Sequence, residues 1–404
     1  MRSLLLIGFC LVCGAAASPL TTAIAHRDIA ALETLSAETE DAALLARGAV
    51  LALRHRDTAA LAILEPLTRA AASQDISAGA CFALSDIYLR QTRYAEARAA
   101  LHCVEVQSGA PLEGEPLQVL HDTAALAGEK PMTLVRSAAG SVEARRDHAG
   151  LIRVPVTVNG ERIRAVIDSD ASFSVVSRSV AERLGLRILP DALTVLTTAR
   201  PDQPMQLAVA DRLMFGDAEL ANVVFAVLPD SAMRLRPDYR IEAVIGLPVL
   251  VTLGRIAYDR EAGRLDYGRG AAAAAMEPNV LLSGLDPFVL VQSGSARVRL
   301  ALDTAADTTT LNASVWTVTA SPKKTSERVL TWRGAGGSIT DRARVLDEWR
   351  IVIGNTPVTL QNVAVQSRPE TDRHGALGLD AVKDARRWVL DFDAMCFWLE
   401  PDAD

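Results

Sequence analysis

The chain predicts a mainly β fold of two similar β lobes, preceded by an α-helical repeat-like region. Three observations lead there. The hydrophobic period changes from about 3.6 to about 2 near residue 150. Asn159-Gly160 marks a tight hairpin between β-rich arms. One pattern, an acid followed by small residues and later by a glycine, occurs twice at matched spacing. With 404 residues, 50% of them hydrophobic, the chain is globular and too long for a single compact core.

The elements follow in order. Residues 1–18 carry Arg2, an apolar core from Leu4 to Val12 and the small residues Ala15 to Ala17, which together predict a secretory signal peptide. A periplasmic or secreted location is expected from it. No later run reaches 18 apolar residues, so no membrane span is expected once it is removed. Residues 25–130 are helical in period. The segment from Leu84 to Leu101, "LSDIYLRQTRYAEARAAL", sets Tyr88, Tyr94 and the small Ala97 around a short turn, as two closely docked antiparallel helices require. It resembles the tetratricopeptide repeat, which implies either a surface for a protein partner or a plain helical cap. Cys81 and Cys103 lie on opposite arms of this hairpin, where a disulfide or two separate buried thiols would both fit.

Residues 131–149 are polar and small and read as a linker. Residues 150–269 form the expected first lobe, 270–279 a second, alanine-rich linker, and 280–404 the second lobe. In the first lobe "AVIDSDAS" puts Asp168, Ser169 and Asp170 after an apolar run, and Gly246 follows Asp168 by 78 residues. In the second, "LALDTAAD" puts Asp303, Thr304 and Ala305 after a matching run, and Gly378 follows Asp303 by 75. Thirteen residues beyond each glycine stands another acid, Asp259 and Asp391. An internal duplication accounts for both sets of spacings.

Over roughly Leu151 to Pro401 this pattern resembles the retropepsin-like aspartic peptidases, in which each of two lobes gives one aspartate from an Asp-Thr/Ser-Gly loop. The resemblance implies two β-barrel lobes forming an intramolecular pseudo-dimer, hence a monomer that needs no second chain. It implies Asp168 and Asp303 as the catalytic pair, Ser169 and Thr304 as hydroxyls bracing the two loops, and Gly246 and Gly378 in the strands packed behind them. It also implies flaps, for which Arg200 and Asp202 in the first lobe and Gly334, Gly336 and Gly337 in the second are candidates. The implied substrate is a polypeptide lying between the lobes. Close carboxylates cannot both ionise cheaply, so they share one proton; no metal or other cofactor is needed.

Both lobes depart from that pattern at the motif glycine, replaced by Asp170 and by Ala305. Alanine is the milder change. A third carboxylate beside the pair would raise its proton affinity or crowd the substrate, and a chain disarmed in this way would bind extended peptide without cutting it. Taking Asp170 itself as the catalytic acid would put Ala171 where the bracing hydroxyl belongs. Other chemistries lack their parts: no His-Glu-x-x-His or Gly-x-Ser-x-Gly stretch occurs. A calcium loop opening at Asp168 would have Phe173 where glycine is required and Ser179 where a bidentate glutamate is required. The net charge of −7, with no block of basic residues, argues against nucleic acid as a partner.

Overall fold

The computed structural model describes residues 19–35, 40–70, 73–195, 197, 202–269, 276–319, 325–367, 370 and 372–401. The expected signal peptide, Arg200 and most of the alanine-rich linker lie outside the described residues. The described residues divide into two compact units, one of them formed by those from Pro19 to Pro131 together with Leu281–Asp286, the other by those from Met132 to Val280 and from Pro287 onward.

In the first unit seven helices are described, Pro19–Ala25, Ile29–Leu35, Glu40–Leu53, Asp57–Ala70, Gln74–Arg90, Tyr94–Ser108 and Gly114–Leu126. Local chemistry sets their ends. The Ser73 hydroxyl accepts the Ile76 N–H at the start of the fifth helix, and Gly109 closes the sixth at a φ of 67°. Small residues let the helices approach, since a Cβ on Gly48 would stand 2.5 Å from Leu64. Tyr88 donates to the Glu65 carboxylate at 2.8 Å, and buried Arg90 is ion-paired with Asp57. Cys81 and Cys103 form a disulfide that ties the fifth helix to the sixth, with Cα atoms 5.9 Å apart. No described helix is long and apolar enough to cross a membrane. Six residues expected in the second lobe, Leu281–Asp286, group with these helices, and Ser283 donates to Asp86 at 2.7 Å.

The disulfide closes a loop spanning 22 residues, and such a cross-link removes conformations from the unfolded chain. Replacing Cys81 and Cys103 by alanine is expected to lower the stability of the helical unit by about 3 kcal/mol. Urea unfolding followed by far-ultraviolet circular dichroism would read it; a loss under about 0.5 kcal/mol would show that packing alone holds the two helices.

The second unit is strand-rich and is built around two large sheets. In the first, Ile152–Val158 and Glu161–Ile167 pair antiparallel through Asn159-Gly160, both at positive φ, as the sequence predicts. Burial alternates along Ile152–Val158, so Val154, Val156 and Val158 face the core while Arg153, Pro155 and Thr157 are partly exposed. The pairing path runs from Ala218–Leu228 through Ser174–Ser177, Ala243–Ile245, Glu161–Ile167 and Ile152–Val158 to Gln203–Phe215, which pairs with Ala218–Leu228 again. In the second sheet the path from Asp286–Ser293 through Ala296–Leu302, Gly375–Leu377, Thr310–Asn312 and Thr356–Gln366 to Gly337–Ile353 also returns on itself, by the pair Gln292 and Val352.

A third sheet takes strands from both halves. Its order is Gly140–Glu143, Arg264–Tyr267, Arg255–Asp259, Arg387–Asp391, Cys396–Glu400, and its centre is the antiparallel pair of Arg255–Asp259 with Arg387–Asp391. The matched acids Asp259 and Asp391 end those two strands and cap the turns beyond them, accepting the N–H groups of Ala262 and of Asp393 and Ala394.

The segment 131–149 is not the featureless linker that its composition suggests. Thr133–Arg136 pairs with Ala218–Leu228, Gly140–Glu143 with Arg264–Tyr267, and Arg145–Arg146 with Ile152–Val158. These are short, solvated strands at sheet edges, which need no apolar alternation and therefore read as loop. Asp147 fastens the end of the segment, accepting from the backbone of Ala149 and Leu151, from Arg153 and from the Tyr239 hydroxyl at 2.6 Å.

Candidate active site

Two loops meet inside the strand-rich unit, one after Glu161–Ile167 and one after Ala296–Leu302. Each begins with an aspartate held by the strand behind it: Asp168 N–H donates to Ile245 O at 3.0 Å, and Asp303 N–H donates to Leu377 O at 3.1 Å. One residue on, the backbones and hydroxyls interlock. The Ser169 N–H donates to Thr304 Oγ1 at 3.0 Å, and the Thr304 N–H donates to Ser169 Oγ at 3.2 Å. Each hydroxyl then donates across, Thr304 Oγ1 to Ile167 O at 3.0 Å and Ser169 Oγ to Leu302 O. The result is a reciprocal brace of four buried hydrogen bonds made by Ser169 and Thr304.

Gly246 and Gly378 sit directly after the strands Ala243–Ile245 and Gly375–Leu377. Gly246 N–H donates to Ser174 Oγ at 3.2 Å and Gly378 N–H to Thr309 Oγ1 at 3.1 Å. Sequence reasoning missed these two hydroxyls. Each stands six residues after its aspartate, a repeated spacing that could have revealed them. A Cβ on Gly246 would lie 2.4 Å from Phe173 O, and one on Gly378 2.5 Å from the carbonyl carbon of Thr308, so in both places backbone runs against backbone.

The brace brings Asp168 and Asp303 together. Asp168 is 1% exposed, whereas Asp303 is half-buried. Burial pushes the Asp168 carboxyl up to about 7, and the nearby Asp303 and Asp170 carboxylates push the same way. Asp170 is buried at 3% exposure, not turned out to solvent, and its N–H donates to Asp168 Oδ1 at 3.0 Å. Ala305 is half-buried in the equivalent place, its N–H donating to Asp303 Oδ1 at 2.8 Å. Among the described residues no group of three or more His, Cys, Asp or Glu side chains is arranged to hold a metal ion.

The raised proton affinity of Asp168 has a sign that can be measured. The folded state holds this proton more tightly than an unfolded aspartate with a pKa near 3.9. The group therefore favours folding fully below about pH 4, and that contribution is lost as pH rises towards 7. Asp168→Asn removes the cost of ionising there, so it should stabilise the protein at pH 8 relative to pH 4.5 by roughly 2 to 4 kcal/mol. Urea midpoints of both proteins at the two pH values would check it, and a difference independent of pH would sink it.

Of the flap candidates, Arg200 lies outside the described residues and Asp202 is an exposed turn residue. Leu193–Val195 and the start of Gln203–Phe215 pair on either side of that turn. In the other half Ser326–Gly334 and Gly337–Ile353 form a long hairpin closed by the pair Gly334 and Gly337. Its tip reaches the first half: Gly336 N–H donates to Ala232 O at 2.9 Å, and a Cβ on Gly336 would stand 2.4 Å from Thr197 Oγ1. Positive φ at Gly336 and Gly337, 85° and 130°, makes glycine the natural choice at this turn. Ala232 carries no signal in the sequence.

No curated protein matches the chain. A solved retropepsin-like aspartic protease from Rickettsia conorii is 20% identical; the match covers 33% of this chain and 92% of that one, with a TM-score of 0.23. Residues 154–249, which hold Asp168, Ser169 and Gly246, match the family model of the aspartyl proteases, and the chain thus carries an aspartyl-protease-like domain.

Proposed function

We propose that the strand-rich unit is an aspartic endopeptidase. The observation that carries this reading is the reciprocal brace of Ser169 and Thr304, which presents one aspartate from each half with equivalent backbone contacts. Water held between Asp168 and Asp303 gives a proton to the ionised carboxylate as its oxygen attacks the peptide carbonyl carbon. The protonated carboxyl hydrogen-bonds to the carbonyl oxygen as that becomes an oxyanion. Collapse of the tetrahedral intermediate breaks the C–N bond, and the nitrogen leaves with a proton from the pair. The two hairpins, whose strands lie about thirty residues past each aspartate, close over an extended substrate. The strand paths that return on themselves support two closed lobes, and the matched contacts of Asp168 with Asp303 and of Gly246 with Gly378 support an internal duplication.

The test is digestion of an unstructured protein in water enriched in oxygen-18. Direct attack by water puts one heavy oxygen into each new carboxyl terminus without an acyl-enzyme burst. Absence of new termini between pH 3 and 7 would overturn the reading. A second reading, a disarmed peptidase that holds extended peptide, is favoured by the burial of Asp170 within the site. Activity that appears only in Asp170→Gly would establish it. The Cys81–Cys103 disulfide supports an oxidising compartment, periplasmic or extracellular. For the helical unit we propose that the hairpin of Gln74–Arg90 and Tyr94–Ser108 docks a protein partner, on the strength of the repeat-like pattern of Tyr88, Tyr94 and Ala97.

A further inference from the structure

The two halves of the site match in backbone and differ in one carboxylate. Each aspartate accepts the N–H of the residue two positions on, at 3.0 Å for Asp168 and 2.8 Å for Asp303, so these donors do not distinguish the pair. The side chains do. On the first loop Asp168 and Asp170 are both buried; on the second, Asp303 is half-buried and Ala305 bears no charge. A proton shared between two carboxylates settles on the one that is drier and nearer to further negative charge.

We propose that Asp170 is a positioning residue that breaks the symmetry of the pair, placing the shared proton on Asp168 and leaving Asp303 as the base that takes the proton from water. This rests on the hydrolytic reading of the pair. Asp168 is then the acid whose O–H meets the substrate carbonyl. The charged groups of the two loops and their supports are few. Asp168 and Asp170 stand on the first loop and Asp303 on the second, with Asp307 exposed further along. The remaining residues from Ser169 to Ser174 and from Thr304 to Ala306 are neutral. The strands behind them, Ala243–Ile245 and Gly375–Leu377, are uncharged, as is the helix Leu247–Leu253. Asp380, in the turn Leu379–Val382, is engaged by the Thr309 N–H and hydroxyl at 2.8 and 2.6 Å. The upward push on Asp168 from burial, Asp303 and Asp170 agrees with the assignment.

The experiment uses the full chain and Asp170→Asn, which keeps the shape of the side chain and removes its charge. In the pH profile of kcat/KM the upper limb reports loss of the shared proton and the lower limb ionisation of the base. Asp170→Asn is expected to move the upper limb down by about one pH unit and to leave the lower limb in place. A role confined to holding the loop would change the height of the profile and not the position of one limb. Carbon-13 titration of the aspartate carboxyls, assigned with Asp168→Asn and Asp303→Asn, decides the matter even if no substrate is cleaved. Asp168 should titrate above Asp303 in the parent and fall in Asp170→Asn. If Asp303 titrates higher, or Asp168 does not move, the proposal is overturned. A chain that shows the expected titration but cuts nothing would refute the peptidase reading alone.

Discussion

Asp303→Asn should lower the rate of cleavage of an unstructured protein by about a thousandfold or more, with little change in thermal stability. Asparagine has nearly the volume of aspartate, and its amide oxygen can still accept the Ala305 N–H that Asp303 accepts at 2.8 Å. The brace of Ser169 and Thr304 does not pass through this side chain and should stay formed. On the proposed reading, what disappears is the carboxylate with which the second loop takes a proton from attacking water. Initial rates on a labelled unfolded protein, beside a melting curve for each variant, would measure both quantities. Cleavage above about a tenth of the parent rate would mean that the carboxylates are not a working pair.

Gly246→Ala should cost about 3 kcal/mol or more of folding stability and take activity with it. The reason is crowding and not conformation, since Gly246 has a φ of −91°, open to any residue. A methyl group there would meet Phe173 O at 2.4 Å and Ala171 O at 2.7 Å, and both are backbone atoms that no side-chain rotation can clear. The loop that would have to yield is the one carrying Asp168 and Ser169. Gly128→Ala serves as the control, because nothing lies within 4 Å of its Cβ position. Guanidinium unfolding of the three proteins gives the comparison, and a loss below about 1 kcal/mol for Gly246→Ala would show that the strand behind the loop is free to shift.

The contacts of Ser169 with Thr304 and the close packing at Gly246 and Gly378 leave a trace in the sequence because the same residue types recur at nearly the same spacing in both halves. A glycine whose Cβ would strike backbone, or a hydroxyl answering another across a two-fold relation, leaves a mark in one dimension. The fate of Asp170 left none. Whether its carboxylate reaches solvent depends on what the facing loop and the hairpins cover, and those contacts join residues more than a hundred positions apart. The strands between 133 and 146 were illegible for another reason. An edge strand held by main-chain pairing, such as Gly140–Glu143 on Arg264–Tyr267, needs no particular side chains beyond room for its neighbour. Ala232 belongs to the same class, since only its carbonyl is used by the hairpin tip.

The sheet in which Arg255–Asp259 pairs with Arg387–Asp391 joins the two halves through main-chain hydrogen bonds as well as through the linking chain. Two subunits that must find each other to complete a site lose activity on dilution, and a segment copying their interface can poison them. Here the partner strand is always present at the effective concentration set by its own chain. On the proposed peptidase reading, specific activity is therefore expected to be independent of protein concentration down to the nanomolar range, and a fall on dilution would show that a second chain is needed after all.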